Sequence, residues 1–472
     1  MPCSRRLPPP PQGSKRYSPR VLAWLSLACT GPDEGPARKP DVLLVVLDTV
    51  RADRTGPYGS TNETPALDAL AKRGVVYEDV TSSSWTWPSH ASIFTGQPPW
   101  VHGAHFTEAE GLSLTPTLHA SAMRHDLGTL AERFADAGYR TVLLSSNPLL
   151  EPGLGLSRGF EVAETFDTRD KRTFLRAEEI LNEHDPRPLF LFVNFYAAHE
   201  PWEVWPDSPQ HADAIQEQSW IEPWRLEGLI YPNHPGATSL AKAWMIDGLE
   251  VPPGGWALVN ELYDSGVRQA DRELGWLLTA WDRQGRKGAV AVTSDHGEYL
   301  GEHGLLFHCR TLYPEVTHVP LIVSAPGILP EQERVTTAMQ LEHLFDGLLH
   351  LAGLAGASRL QGNEDASQPI LARAWRDRGW AQLIGGRFNQ GYRLYREQNE
   401  ALMLADDGSA ELYNLSADPT MTRDLSQDLT HRVRDLRSRA EGAYAEGPQT
   451  PAVSVDDETR ERLEALGYVT PK

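Results

Sequence analysis

Residues 41–48 read DVLLVVLD, an almost unbroken apolar run of strand length that ends on a carboxylate. A strand that is apolar on both faces must be covered on both faces, the pattern of a parallel or mixed sheet lying between helical layers. The rest of the chain supplies those layers. TPALDALAKRG carries apolar residues at helical spacing and stops at Gly74. LGTLAERFADAGYRTVLLSS reads helix, glycine, strand, and FLRAEEILNEH precedes PLFLFVNFY. The long VNELYDSGVRQADRELGWLLTAWDRQG precedes AVAVTSD, and VPLIVSAPG adds one more strand. This alternation predicts an α/β fold with a large parallel or mixed sheet sandwiched by helices. In such sheets a ligand sits beyond the carboxyl ends of the strands.

Past about residue 370 the texture changes to short polar and aromatic runs, WAQLIGGRFN, YRLYREQNEALMLAD and AELYNL. These predict a smaller antiparallel sheet closed by a helix over DDETRERLEALGYV. The Pro- and Trp-rich stretch from about 202 to 256 is too long for a silent connection and reads as a lid or substrate collar. The expected organisation is therefore a leader over 1–38, a catalytic α/β domain over 39–360, and a C-terminal subdomain over 361–472.

In the leader, Arg5, Arg6, Lys15, Arg16 and Arg20 precede VLAWLSLAC and a polar, Pro-rich run. That pattern is of an export signal, and the small residues before Cys29 resemble a lipoprotein cleavage site. The apolar run is too short to span a bilayer. The expectation is an exported protein, periplasmic or in the cell envelope, touching a membrane only through a lipid anchor. With Cys3, Cys29 and Cys309 as the only cysteines, no internal disulfide is expected in the exported chain. A formal net charge of -20 argues against nucleic acid as a partner. An anionic substrate must therefore meet local positive charge, such as a metal ion.

Two strand ends terminate in acids: Asp48 closes VVLD, and Asp295 closes VAVTSD with His296 beside it. If the strands are neighbours, two carboxylates and an imidazole converge as a divalent-cation site. An Asp after a strand is equally a turn or cap residue, so the spacing alone leaves both readings open. Between these segments lies SSSWTWPSHASIFTG, Ser82 to Gly96, whose hydroxyls and Pro88 are helix-start chemistry. Trp85 and Trp87 read as packing residues, as do most tryptophans. His102, His303, His318 and Arg51 read as structural.

Taken in order, DVLLVVLDTVRADRTGPYGSTNETPALDALAKRGVVYEDV, TWPSHASIFTG, TSDHGEYLGEHG, LYPEVTHVPLIVSAPG and ELYNLSADP resemble the sulfatases of the alkaline phosphatase superfamily. The resemblance runs from about Asp41 to the closing LEALGYV. It implies an α/β sandwich with a smaller C-terminal sheet domain, and a divalent metal beside a nucleophile at the start of a short helix. Carried over by motif, Asp48, Asp295 and His296 match metal ligands. Thr86 falls where these enzymes carry the Cys or Ser that is oxidised to formylglycine. His199 in YAAHEP matches a histidine that contacts the sulfate and leaving group. His308 or Arg310, before TLYPE, stands near a substrate-binding lysine, and His90 stands where the signature has arginine.

Several positions depart from that pattern. Thr49 replaces a second metal-binding Asp, and RTVLLSSNP after Tyr139 lacks the usual Lys and His. Oxidising a threonine would give a ketone, and the maturation acts on Cys or Ser, so no formylglycine is expected. Asp48, Thr86, Asp295 and His296 together also resemble the lipoteichoic acid synthases, which use a Thr nucleophile and one metal. The resulting expectation is a metal-dependent hydrolase of a sulfuric ester or related anionic ester, small or glycan-linked. Thr86 is its direct nucleophile and a metal ligand, one Mn, Mg, Ca or Zn ion is its cofactor, His199 and His308 are catalytic, and His90 and Arg310 bind substrate. Two alternatives stand beside it: a phosphoester hydrolase or phosphotransferase working through phospho-threonine, and an inactive glycan-binding relative, which Thr49 and His90 motivate.

Overall fold

The computed structural model describes residues 38–107, 119–166, 172–205, 208–231, 234–355, 360, 368–376 and 389–465. The leader, nearly all of WAQLIGGRFN and the closing LGYV lie outside the described residues. Eight strands form the main sheet: β1 (Asp41–Leu47), β2 (Val75–Tyr77), β3 (Arg140–Ser145), β4 (Val162–Thr165), β5 (Leu189–Phe195), β6 (Gly288–Thr293), β7 (Leu321–Ser324) and β8 (Glu333–Val335). Their spatial order is β8-β2-β7-β6-β1-β5-β3-β4. Only β7 runs against its neighbours, β2 and β6; the other pairings are parallel. The sheet is mixed, one of the two forms that its apolar strands allow.

β1 shows why both faces must be covered. Val42, Leu44 and Val46 pack on one side with α2 (Thr86–Thr95) and α3 (Leu130–Asp136). Leu43, Val45 and Leu47 pack on the other with α1 (Pro65–Ala71), α4 (Arg172–Asn182) and α5 (Pro253–Arg283). All six side chains are at most 1% exposed, and each such burial stabilises by about 1.5–3 kcal/mol. β1 is thereby a rigid central rod whose carboxyl end is fixed in place.

α5 starts at Pro253, earlier than the Val259 start that the apolar period suggests, because Pro is preorganised for a first helical turn. Among the described residues, the stretch from 202 to 256 contains three short helices before α5 begins, His211–Gln216, Pro223–Glu227 and Gly236–Met245. Two of them are shorter than two turns, too brief to show a period.

The smaller sheet is antiparallel, in the order β9 (Ile370–Ala374), β10 (Tyr392–Glu397), β11 (Glu400–Ala405), β12 (Ala410–Asn414). Beyond it lie α6 (Thr430–Ala443) and α7 (Asp457–Ala465), the latter where a closing helix is expected. α6 is absent from the sequence reading: it is rich in arginine and offers a narrow stripe, Val433, Leu436, Ala440 and Ala443, to Leu402, Leu404 and Leu412.

Candidate active site

Register brings the strand-end acids together. Leu47 lies opposite Phe195, and Val46 opposite Thr293, so the carboxyl ends of β1, β5 and β6 are level. Asp48 directly follows β1, and Asp295 comes two residues beyond β6. Thr49 turns the chain away in the left-handed region, at φ 59°. Its N–H donates to Asp295 Oδ1 at 3.2 Å, and its carbonyl accepts from the Tyr263 hydroxyl at 2.8 Å. Asp48 Oδ2 accepts from the side-chain amides of Asn147 (2.7 Å), just past β3, and Asn194 (3.1 Å), within β5.

Thr86 opens α2 above this pair. Trp85 is stacked on Phe106 at 4.2 Å, and the fully buried Trp87 donates its indole N–H to the Ser121 carbonyl at 2.9 Å. The two tryptophans thus clamp the helix start as packing residues. Thr86 Oγ1 lies 3.3 Å from His296 Nε2 and accepts from Asn147 Nδ2 at 3.3 Å. His296 Nδ1 faces the Gly297 carbonyl at 3.0 Å. A carbonyl only accepts, so the proton sits on Nδ1 and the Nε2 lone pair points to Thr86. That nitrogen is also 3.4 Å from Asp295 Oδ2 and 3.9 Å from Asp48 Oδ1. Burial, with the nearby His308 charge, holds His296 well below the usual imidazole range. Burial and then the charge of Asp48 push Asp295 well above the usual carboxylate range.

These residues fit a divalent cation. One ligand atom from each of Asp48, Asp295 and His296 lies within 4.8 Å of the others. Asp48 Oδ1 and Asp295 Oδ2 are buried with no hydrogen-bond partner among the described residues. An unpartnered carboxylate oxygen in the interior is costly, and a hard cation is what two oxygens and a neutral imidazole satisfy.

A second group borders the first. His199 stacks on Tyr196 at 4.2 Å and keeps 14% of its side chain exposed. Its Nδ1 donates to the Glu200 carbonyl at 2.6 Å and lies 3.2 Å from Glu200 Oε2. His308 Nδ1 is 3.0 Å from Glu298 Oε1, and its ring is 4.4 Å from that of His296. Burial alone would lower His199, but the charges of Glu200, Asp48 and Glu298 outweigh it and raise its pKa. Burial lowers His308 to about 4. It also raises Glu298 to about 7 and Glu200 to about 7, although the Glu200 side chain is 22% exposed.

His90 lies one turn along α2 from Thr86, wholly buried, with Nδ1 3.0 Å from the Thr86 carbonyl and 3.5 Å from Asp295 Oδ2. Its ring meets Phe94 and Phe192 edge-on, and burial lowers its pKa. Arg310 is buried and donates to the Leu306 carbonyl, while its charge is felt by Glu298 and His308. All the candidate residues therefore converge on one end of the sheet, with His90 on the core side. His102, His303 and His318 hold partners elsewhere: Ser92, Glu315 and the Glu78 carbonyl. Arg51 braces Asp53, Glu302 and the Glu298 carbonyl.

Four residues of the site escape the sequence reading: Asn147, Asn194, Glu200 and Glu298. Asn194 offers a signal, being the one amide in the apolar strand LFLFVNF; a buried amide needs a partner.

The sulfatase family model matches residues 40–354. The chain is 24% identical to the delta 4,5-hexuronate-2-O-sulfatase of Bacteroides thetaiotaomicron, over 94% of this chain and 97% of that one. A structure solved with its substrate D-glucosamine-2-N,6-O-disulfate shares the fold at TM-score 0.65 and 17% identity, over 86% and 97% of the two chains. The phosphonate monoester hydrolase of Agrobacterium radiobacter shares it at TM-score 0.66 and 18% identity, over 89% and 100%. The acids closing β1 and β6, the helix starting at Thr86 and this match over most of the chain agree: the chain belongs to the sulfatase family, enzymes that hydrolyse sulfuric esters.

Proposed function

We propose that the chain hydrolyses an anionic ester with the Thr86 hydroxyl as direct nucleophile and with Asp48, Asp295 and His296 as ligands of one divalent cation. The observation that carries this reading is the position of Thr86 Oγ1, at a helix start and 3.3 Å from both His296 Nε2 and Asn147 Nδ2. When bound, the cation supplies positive charge that acidifies the threonine hydroxyl and draws in the ester's oxygens. Asn147 holds Thr86 Oγ1 and Asp48 in fixed relation. The open backbone N–H groups of the first turn of α2 face the incoming anion.

Attack by Thr86 Oγ1 forms a bond to the central sulfur or phosphorus and breaks the bond to the ester oxygen. That oxygen leaves as an alcohol once protonated, and the Thr86 proton passes to solvent. Water then cleaves the threonine ester. His199 and His308 border the position of the leaving oxygen. Sulfated glycans or small sulfate esters are the substrate class that the relatives support, since delta 4,5-hexuronate-2-O-sulfatase is named for one. A phosphoester is the second reading, favoured by Thr86 itself: an alcohol nucleophile leaves an ester that needs a second attack, which a phosphoryl group supports in line. The leader's basic-then-apolar order supports export.

The test is parallel assay of purified protein on an aryl sulfate, a phosphate monoester and a phosphodiester, with Thr86→Ala alongside. Loss of about 10⁴-fold or more in kcat is expected for Thr86→Ala on the preferred ester. Turnover that survives the substitution would sink the assigned nucleophile.

A further inference from the structure

Beyond α6 the chain PAVSVDDETRERLEA, Pro451 to Ala465, crosses the main domain as an extended strap that ends in α7. It meets both supports of Thr86. The Ala122 N–H donates to the Pro451 carbonyl at 2.8 Å, the Val453 N–H donates to the Ala120 carbonyl at 2.9 Å, and Ala452 bridges Ser121. Ser121 is the residue whose carbonyl holds the indole of Trp87, the neighbour of Thr86. Val453 is 2% exposed and shares one core cluster with Trp85 and Trp87.

α7 then docks on the turn that begins at Asn147. That turn is two single-turn helices, Pro148–Leu150 and Pro152–Leu154, too short to fix a side chain by their own hydrogen bonds. Asn147 Oδ1 accepts from the Leu149 N–H at 2.9 Å, which leaves the amide hydrogens for Asp48 Oδ2 and Thr86 Oγ1. Leu463, wholly buried, joins Leu149, Leu150 and Leu154 in the core. Glu151 is buried, and its Oε2 accepts from the Thr165 hydroxyl at the end of β4. Arg462 Nη1 lies 3.3 Å from Glu151 Oε1, and its Nη2 donates to the Thr165 carbonyl at 3.2 Å. The approach is close: a Cβ on Gly153 would stand 2.1 Å from Thr459 Oγ1.

We propose that Glu151 and Arg462 are positioning residues for the reaction: through them the C-terminal strap sets Asn147, and Asn147 sets Thr86 Oγ1 against Asp48. This rests on the reading of Thr86 as nucleophile and of Asp48 as a cation ligand. A buried carboxylate needs a partner, and here the partner comes from the strap. The Arg462 side chain is 50% exposed, so water can replace it at Glu151 and the fold survives its loss. Water replaces the charge but not the fixed position. A group misplaced by about 1 Å costs on the order of 10²-fold in rate, so turnover should fall further than stability.

The test places Arg462→Ala and Arg462→Lys in the full chain, alone and combined with Asn147→Ala, and assays them on the aryl sulfate and phosphoesters of the parallel assay. Arg462→Ala should lower kcat about tenfold with KM unchanged, and Arg462→Lys should keep most of the rate. In the Asn147→Ala background, Arg462→Ala should have no further effect. Manganese affinity, read from the electron paramagnetic resonance signal of the free ion, should weaken in Arg462→Ala as it does in Asn147→Ala, because Asn147 holds Asp48. Full kcat and full manganese affinity in Arg462→Ala, or a loss that adds in full to that of Asn147→Ala, would overturn the proposal and leave the strap a structural brace. Where circular dichroism finds Arg462→Ala unfolded, the milder Glu151→Gln decides by the same readouts. Turnover that survives Thr86→Ala sinks the nucleophile instead, and the strap's route to the reaction falls with it.

Discussion

β1 carries an aspartate at each end, and the two differ in a way that residue type does not show. Asp41 and Asp48 are both buried, at 3% and 0% exposed. At the amino end, Asp41 Oδ1 accepts from the Leu189 N–H at 2.7 Å and Oδ2 from Arg286 Nη1 at 2.9 Å. That carboxylate is closed: it braces β1 to β5 and to the chain entering β6. At the carboxyl end, Asp48 Oδ2 takes two amides while Oδ1 takes none among the described residues. Function sits where the donor set is left incomplete, because only an unsatisfied buried oxygen can reward an incoming cation.

Asp48→Asn is the strongest way to break this comparison. It removes the charge that the cation needs while keeping the shape, so activity should fall about 10³-fold and metal content should drop with it. Stability of the metal-free protein should hold or rise, since an uncompensated buried charge has been removed. Thermal unfolding with and without added manganese reads this directly. A metal-free variant destabilised as much as an Asp41 variant would show that Asp48 is a brace like the other.

Asp41→Asn is the mirror experiment and has the smaller effect. The substitution weakens a charged hydrogen bond and leaves Arg286 without its anion, at a cost of about 2 kcal/mol by chemical denaturation. Turnover per folded molecule should stay unchanged. A selective loss of kcat with normal stability would mean that strain at the amino end reaches the site, and the two ends would not be separable.

The same contrast explains what the sequence reveals. Asp48 and Asp295 are legible because each ends an apolar run, and Thr86 because its helix-start stretch lies between them in a recognisable order. That the sheet is covered on both faces is legible too, from strands apolar on both sides, whereas its one antiparallel strand, β7, is not. Asn147 is not, and Asn194 stands out only as a lone amide in an apolar strand, because the part of both depends on β5 lying between β1 and β3, with Ser145 opposite Asn194. Strand order is a tertiary fact that no single segment encodes. Glu200 and Glu298 sit inside the quoted motifs, yet only the folded chain turns them toward His199 and His308. α6 escapes because two of the four residues in its apolar stripe are alanines set among arginines, so its helical period is faint.

The smallest expected effect is a pH dependence that belongs to the carboxyl end of the sheet. In the metal-free chain Glu200 and Glu298 are raised from 4.5 to about 7, and Asp295 is raised well above 3.8. Above the unfolded values the folded state therefore holds more protons than the unfolded state, and stability falls as pH rises through the folded values. His199, whose pKa is raised, loses its stabilising charge in the same direction. His308 opposes this: lowered from 6.5 to about 4, it makes stability rise with pH, but that gain is nearly complete by about pH 7. His90 and His296, also lowered, behave likewise. Between pH 7 and pH 8 the carboxyl groups dominate, and the metal-stripped protein should lose on the order of 1 kcal/mol. Saturating manganese should reverse the slope, because a cation binds the deprotonated carboxylates and its affinity grows with pH. Urea midpoints at the two pH values, with and without metal, decide it. A metal-stripped protein that grows more stable from pH 7 to pH 8 would mean that its buried acids already have partners, and the distinction between the two ends of β1 would be lost.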